Sequence, residues 1–375
     1  MRAAILGRPA LSFAILICVL GSGALFLWFA LGNHFATDFR VYWRTANGPL
    51  DTAYASSRLP FPYAPTMLLW VSPLKLISLW PGFLAWVAVS IWAMMRACRN
   101  LLSPSETCLV LLNPVAVNAL CAGQVSLFLA AGLLWACTTD RRIAAGLALA
   151  FIASVKPQLV ALAPLFLIAR RDWTALASAA TGFSILVAGS LVAFGAQPWI
   201  DWLNSLERFH SLLVGSNVLG VAVTPAAAAQ SFHLPPLPFL LAGLALGVWL
   251  VFACRKVGPL QSSAAIGTGS LLAAPYALGY DLAVILPFLA YATFRGSFGS
   301  AFALSGTLNP APLLLTTWQL LRGQGSTGNP VPDAELALDL ADRRPGNPPN
   351  PASIRARKST TASPSRLPLH RDCRW

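Results

Sequence analysis

Charge is scarce in this chain, and acid is scarcer than base. Only 10% of its 375 residues are Asp, Glu, Lys or Arg, where an ordinary soluble domain carries about 25%. A surface that poor in charge excludes an ordinary water-soluble fold. Thirteen acids stand against 26 basic residues, and the four histidines are widely scattered. There is no Asp-x-Asp and no His cluster, so no metal-ligand spacing is legible. The seven cysteines (18, 98, 108, 121, 137, 254, 373) fall mostly inside apolar runs and show no paired spacing. That excludes a disulfide framework and leaves core-type residues. Nor is there an internal repeat of the kind that two-halved transporters carry.

What is present is apolar sequence, 56% of the chain, in successive runs. They read as spans at 9–31, 82–98, 106–120, 125–139, 143–155, 157–169, 174–196, 236–254, 261–276, 280–294 and 300–321. Runs of this kind predict an all-α polytopic membrane protein. The first run follows Arg2 and Arg8 but is long for a signal peptide and lacks a small-x-small cleavage site, so it is read as a retained span. With the N-terminus in the cytoplasm, Arg96/Arg99, Arg141/Arg142, Arg170/Arg171, Arg255/Lys256 and Arg295 all fall inside, the positive-inside pattern. This alternation requires that 63–80 lie along the outer surface. Pro65, Pro73, Pro81 and Lys75 break that run and favour such a helix over a span. The net charge of +13 then reflects topology and anionic lipid, with no nucleic acid as partner.

The same alternation gathers four polar islands on the outer side: the 33–65 loop, "CAGQVS" (121–126), "VKPQLV" (155–160) and "APYALGYDL" (274–282). Ionisable groups at a membrane are costly, and four islands on one face imply a site. Taken singly, Gln124 and Gln158 are read as helix-end caps and Lys156 as a snorkelling residue. Eight acids lie in the membrane part. Glu106, Asp140 and Asp172 fall on the cytoplasmic side, the last two beside Arg141 and Arg171 as interfacial ion pairs. Asp201 and Glu207 sit in an amphipathic segment and Asp51 in a Gly-Pro turn. Asp38 and Asp281 remain as candidate bases. In "HFATDFRVYWR" (34–44), Asp38 is followed by Arg40, Tyr42 and Arg44. On a helix Tyr42, at i+4, shares the face of Asp38 while Arg40 turns away. A base for an acceptor hydroxyl beside cations for a departing phosphate is the set that a group transfer needs.

The order of these motifs resembles glycosyltransferase family 87, a polyprenol-phosphate-dependent family of multi-spanning C-type enzymes that includes bacterial α-1,2-mannosyltransferases of lipid glycans. The residues that carry the resemblance are Asp38-Phe39-Arg40-Val41-Tyr42, Phe61-Pro62-Tyr63-Ala64-Pro65, Asn113-Pro114 with Gly123-Gln124, and Lys156-Pro157-Gln158. It covers about residues 1–295 and implies a C-type fold with about 10–12 transmembrane helices and outer-face interfacial helices. It further implies a plasma-membrane hexosyltransferase, most often of mannose, whose active site faces the periplasm or exterior. Its partners would be a polyprenyl-phosphate-linked sugar, a lipid or glycan acceptor and membrane lipids. On that reading Asp38 is the base of an inverting transfer, and Arg40, Arg44 and Lys156 hold the donor phosphate. Tyr42, Tyr63, Gln124, Gln158, Tyr276 and Asp281 are candidates for sugar or acceptor contacts. A monophosphate leaving group carries less charge than a nucleotide diphosphate, so no tightly bound metal and no cofactor are expected.

Two domains are expected: a membrane-embedded unit, 1–321, with its outer catalytic loop at 32–81, and a tail, 322–375. The tail is rich in Pro, Ser, Asn and Arg and reads as disordered. Its basic residues favour the cytoplasm while the span count leaves it outside, so one span is miscounted, at 300–321 or at 211–230. The chain departs from the family after about 295, where further spans are usual. The alternative from another class is a transporter or flippase whose polar islands line a path; a non-catalytic membrane scaffold would need no such constellation.

Overall fold

Proline and glycine punctuate the apolar runs, and most helices begin or end where they stand. Pro104, Pro114, Pro225, Pro236 and Pro259 each open a helix, where the missing N–H is no loss. The computed structural model describes residues 2–54, 61–215, 222–304 and 310–325. The tail reading falls outside these from 326 onward, and Arg322 belongs to the last helix.

The chain starts with α1 (Arg2–Leu31), then α2 (Thr37–Asn47) and α3 (Leu50–Ala53). Helix α4 (Thr66–Val71) continues as a 3-10 turn, Ser72–Leu76, and α5 (Leu79–Cys98) follows. Next come α6 (Pro104–Leu111) and α7 (Pro114–Ala122), then α8 (Ser126–Thr138) and α9 (Arg142–Val155). A 3-10 turn, Pro157–Leu159, leads to α10 (Ala163–Ala169), α11 (Trp173–Phe194) and α12 (Gln197–Gly215). After α13 (Pro225–Ser231), α14 (Pro236–Ala253) and α15 (Pro259–Leu272), a 3-10 segment, Gly279–Ile285, runs into α16 (Leu286–Phe294). The described chain closes with α17 (Phe298–Ala303) and α18 (Ala311–Gly325). Among the described residues no strand forms; Ala222 and Leu278 make an isolated bridge.

Among the described residues, four helices are long and apolar enough to cross a bilayer: Pro9–Leu31, Leu79–Cys98, Trp173–Phe194 and Pro236–Lys256. They turn large apolar side chains outward, among them Val19, Leu27, Leu84, Trp92, Val192 and Leu237. The protein is therefore an all-α polytopic membrane protein. About ten to twelve transmembrane helices are expected; among the described residues four pass on length and composition, or five if the bent pair Pro104–Leu111 and Pro114–Ala122 is one span. The run 106–120 is two helices, α6 and α7, bent by 57°, because Asn113 caps α7 through Val115 N–H at 2.9 Å and Pro114 cannot continue α6. The run 157–169 opens with a 3-10 turn, as does 280–294, and 261–276 is helical only to Leu272. The run 300–321 is α17 and α18, with 305–309 between them outside the described residues. Residues 66–76 form a short helix and turn, too short to cross about 30 Å of hydrocarbon.

Small residues let the helices approach. A methyl on Gly146 of α9 would strike the Ala175 carbonyl of α11, and one on Gly247 of α14 would lie 2.5 Å from the Gly269 carbonyl of α15. The core between them is filled by Leu127, Leu133, Leu134, Ile266, Leu271 and Leu289. Following the chain through these helices separates two ends. Helices α1, α7, α9 and α15 finish at the end where α5, α8 and the Gly279–Ile285 segment start. The opposite end collects ion pairs, Arg142–Asp172 at 3.3 Å and Arg295–Glu106 at 2.9 Å. The partners differ from the expected neighbours Arg141 and Arg171, and Glu106 is paired as well. Along the 14 residues of α9, Arg142 and Lys156 are about 21 Å apart at 1.5 Å per residue.

Candidate active site

The site lies at the end away from those ion pairs, and each of the four polar islands reaches it. After α1 the chain turns through two left-handed residues, Asn33 (φ 52°) and Ala36 (φ 60°). Ala36 N–H donates to the Cys121 carbonyl at 2.8 Å, pinning the turn against the end of α7. Helix α2 then buries Phe39 and Tyr42. Phe39 packs on Phe83 and Trp86, ring centres 5.9 and 5.8 Å away. Trp43 Nε1 donates to the Ile77 carbonyl at 2.9 Å, tying the outer side of the helix to the segment before α5. One turn apart on the inner face, Asp38 and Tyr42 point the same way.

Tyr63 comes from the extended segment before α4. That segment is held by Tyr54 Oη, which donates to the Tyr63 carbonyl at 3.2 Å, and by Thr66 Oγ1, which donates to the Ser154 carbonyl at 2.5 Å. Gln124 follows Gly123, whose φ of 75° closes α7 and turns the chain toward α8. Lys156 follows the last residue of α9, and Tyr280 and Asp281 lie in the 3-10 segment before α16.

Two linked groups result. In the first, the Tyr42 and Tyr63 hydroxyls are 2.8 Å apart and lie 3.1 and 3.3 Å from Gln124 Oε1. Val125 N–H donates to the same oxygen at 3.1 Å, and Gln124 lies near enough to Asp38 to influence its carboxyl. In the second, Lys156 Nζ is 2.8 Å from Asp281 Oδ1 and 2.8 Å from Ser126 Oγ. Ser126 Oγ donates to Asp281 Oδ1 at 2.7 Å, and Leu278 N–H donates to Asp281 Oδ2 at 3.2 Å. The Lys156 ammonium also stands 4.6 Å from the Tyr280 ring centre and 6.0 Å from that of Tyr63. Lys156 and Asp281 are 4% and 3% exposed, so the pair is dry. Asp38 feels both charges. Burial pushes its carboxyl above the usual carboxylate range, and the nearby ammonium of Lys156 and amide of Gln124 oppose that rise.

Six of the expected residues are thus gathered: Asp38, Tyr42, Tyr63, Gln124, Lys156 and Asp281. Tyr276 sits at the margin, its ring 6.0 Å from Phe209 of α12. Gln158 is half-buried in the 3-10 turn, with no bond to the cluster among the described residues. The three cations expected around one phosphate do not converge. Arg40 lies over the Trp80 ring at 5.6 Å and Arg44 is exposed, both turned to the other side of α2. A two-residue step on a helix rotates a side chain by about 200°, which is why Asp38 and Arg40 part. Ser126 and Tyr280 join the site unforeseen, although both stood inside the polar islands. Their adjacency to Gln124 and Asp281 was the available signal.

Beside the polar cluster runs an apolar groove of about 370 Å³, lined by residues that include Met67, Trp86, Val125, Phe128, Phe151 and Val155. Val125 and Val155 are the chain neighbours of Gln124 and Lys156, so groove and cluster share a wall. Among the described residues, no three His, Cys, Asp or Glu side chains gather where they could hold a metal ion.

No curated protein and no solved structure matches the chain. A family model does, that of Glycosyltransferase family 87, over residues 61–275. The match spans more than half of the chain. It contains Tyr63, Gln124, Ser126 and Lys156 and stops short of Asp38, Tyr280 and Asp281. A glycosyltransferase, and not the transporter alternative, accounts for it: this membrane protein belongs to glycosyltransferase family 87.

Proposed function

We propose that the protein is an integral-membrane hexosyltransferase that moves a sugar, most often mannose in this family, from a polyprenyl-phosphate donor to a lipid or glycan acceptor. The reaction is a single displacement with inversion, at the outer face of the plasma membrane. Asp38 takes the proton of the acceptor hydroxyl as that oxygen attacks the anomeric carbon. The bond from that carbon to the phosphate oxygen breaks, and the phosphate leaves with the electron pair. Lys156 is the cation placed to receive it, while Arg40 and Arg44, on the far side of α2, are left to the approach of the charged headgroup.

One observation carries the choice of base. Asp281 has both carboxylate oxygens occupied, by Lys156 and Ser126 on Oδ1 and by Leu278 N–H on Oδ2. Asp38, near Lys156 and Gln124, has neither oxygen tied in this way among the described residues and keeps capacity for an acceptor hydroxyl. The groove beside the cluster supports a lipid-linked donor, since an apolar wall next to a buried ammonium suits a phosphate carried on a hydrocarbon chain. Arg96, Arg99, Arg141, Arg142, Arg170, Arg171, Arg255, Lys256 and Arg295 stand at or beyond the helix ends opposite the site. That arrangement favours the outer face for the chemistry.

The test is transfer from a panel of polyprenyl-phosphate sugars by purified wild type, Asp38→Asn and Asp281→Asn. Asp38→Asn keeps the side-chain volume, and turnover should fall at least about 100-fold, the lower range of general-base assistance. Near-normal turnover in Asp38→Asn together with its loss in Asp281→Asn would assign the base to Asp281 instead.

A further inference from the structure

We infer that Ser126 is a positioning residue for Lys156: its buried hydroxyl bridges the ammonium and the Asp281 carboxylate, and so fixes which N–H of Lys156 is left to meet the donor phosphate. The inference rests on the reading of Lys156 as the cation that receives that phosphate. It starts from hydrogen-bond capacity. An ammonium has three donors and no acceptor, and an ionised carboxylate only accepts. Ser126 Oγ lies 2.8 Å from Lys156 Nζ and 2.7 Å from Asp281 Oδ1, and Nζ lies 2.8 Å from the same Oδ1. The direction of each bond is therefore forced: Ser126 accepts from Lys156 and donates to Asp281. Leu278 N–H donates to Oδ2 at 3.2 Å, so both ends of the carboxylate are held.

Ser126 opens α8, just past Gly123, whose left-handed φ of 75° turns the chain out of α7. That turn delivers Gln124 to the two phenols and Ser126 to the ion pair. Ser126 is 0% exposed, so bulk water does not simply replace a lost hydroxyl. Two N–H bonds of Lys156 are thus committed, and among the described residues the third has no acceptor. What faces the ammonium otherwise is aromatic, the Tyr280 ring centre at 4.6 Å and that of Tyr63 at 6.0 Å. A ring face is a soft partner that a phosphate oxygen can displace; a carboxylate at 2.8 Å is not. Ser126 acts on that contest twice. It holds Nζ from a second direction, so the ammonium cannot pivot onto Asp281 alone. By donating to Oδ1 it also draws charge from the carboxylate, which weakens Asp281 as a rival to the phosphate.

A binding measurement without turnover tests this. Farnesyl phosphate and farnesol share one hydrocarbon chain and differ in the phosphate. Their affinities for the detergent-solubilised full chain give its preference for the charged head, which wild type should show. Ser126→Ala should lower that preference about tenfold, the order of one hydrogen bond to a charged group, and leave farnesol binding unchanged. Ser126→Thr returns the hydroxyl and should recover the preference. Ser126→Cys, a weaker donor and acceptor, should lose part of it and serves if the alanine variant does not fold. A folded alanine variant with the wild-type preference would overturn the inference. So would weaker binding of both ligands in step, which would make Ser126 a structural residue only. Wild type that binds the two ligands equally would overturn the reading of Lys156 as the phosphate's cation, and the role of Ser126 with it.

Discussion

Lys156 and Asp281 are each the wrong residue to bury alone, and the structure buries them together. Removing one partner of such a pair strands the other charge, which costs about 3–5 kcal/mol, whereas replacing both is often close to neutral. Asp281→Asn alone should therefore lower the unfolding temperature in detergent well below that of wild type. Lys156→Met with Asp281→Leu should recover most of the loss. If the single variant melts with the wild type, water reaches the pair and its charges are screened. The same logic bears on donor use. Lys156→Gln alone mixes a lost phosphate contact with a stranded Asp281, so Lys156→Gln paired with Asp281→Asn is the fair comparison. Donor efficiency that stays low in the double variant points to the phosphate. By contrast, Arg142 is half-exposed in its pair with Asp172, and Arg142→Gln should cost no more than about 1 kcal/mol. Asp38 carries a pH signature as well. A base must be ionised to act, and its pKa is raised in the fold by burial. The acid limb of the pH–rate profile should accordingly lie above the range of an ordinary exposed carboxylate, and turnover should fall as pH drops through it. A profile flat down to that ordinary range would separate Asp38 from the rate.

The break between α6 and α7 shows how a helix pair can be misjudged from composition. Residues 106–120 are apolar enough to read as one span, and hydropathy averages over Asn113. In the fold Asn113 Nδ2 donates to the Leu304 carbonyl at 2.6 Å while its Oδ1 caps α7. Asn113→Ala should lose the cap and leave a buried carbonyl unpaired, about 1–3 kcal/mol in an unfolding measurement. At the other end of α7, Gly123 holds a left-handed φ of 75°, and a methyl there would come 2.6 Å from Phe39 Cβ. Gly123→Ala should cost at least about 1–2 kcal/mol for the backbone conformation alone. It should also push α2 outward, so that turnover falls further than stability accounts for. Equal losses in the two would mean that α2 adjusts without moving Asp38. The break was legible as a motif, since Asn-Pro stood in the sequence. It was not legible as a bend, because an angle between helices is set by what Asn113 finds 191 residues away.

For the molecule as a whole, the separation of the polar cluster from the basic helix ends makes orientation testable. With the native cysteines replaced, an impermeant maleimide should label a cysteine at Thr37, an exposed position, from outside intact cells. It should reach one at Arg142 only after permeabilisation. Labelling at 142 in intact cells would invert the molecule and move the proposed chemistry to the cytoplasmic face, with the site's geometry unchanged. Much of this was set by local pattern. Apolar content made the chain a helical membrane protein, the alternation of basic residues separated its two ends, and the i, i+4 relation put Tyr42 on the face of Asp38. Each of these depends on neighbours in the chain. Contacts between distant segments were not readable in that way. Asp281 meets Lys156 across 125 residues, Tyr63 meets Gln124 across 61, and Ser126 enters the cluster because α8 begins where α9 ends. Hydropathy carries no information on distance between helices, so the pairing of Asp281 with Lys156 and the bonding of Gln124 Oε1 to the two phenols arose only when packing had brought those groups within hydrogen-bond reach.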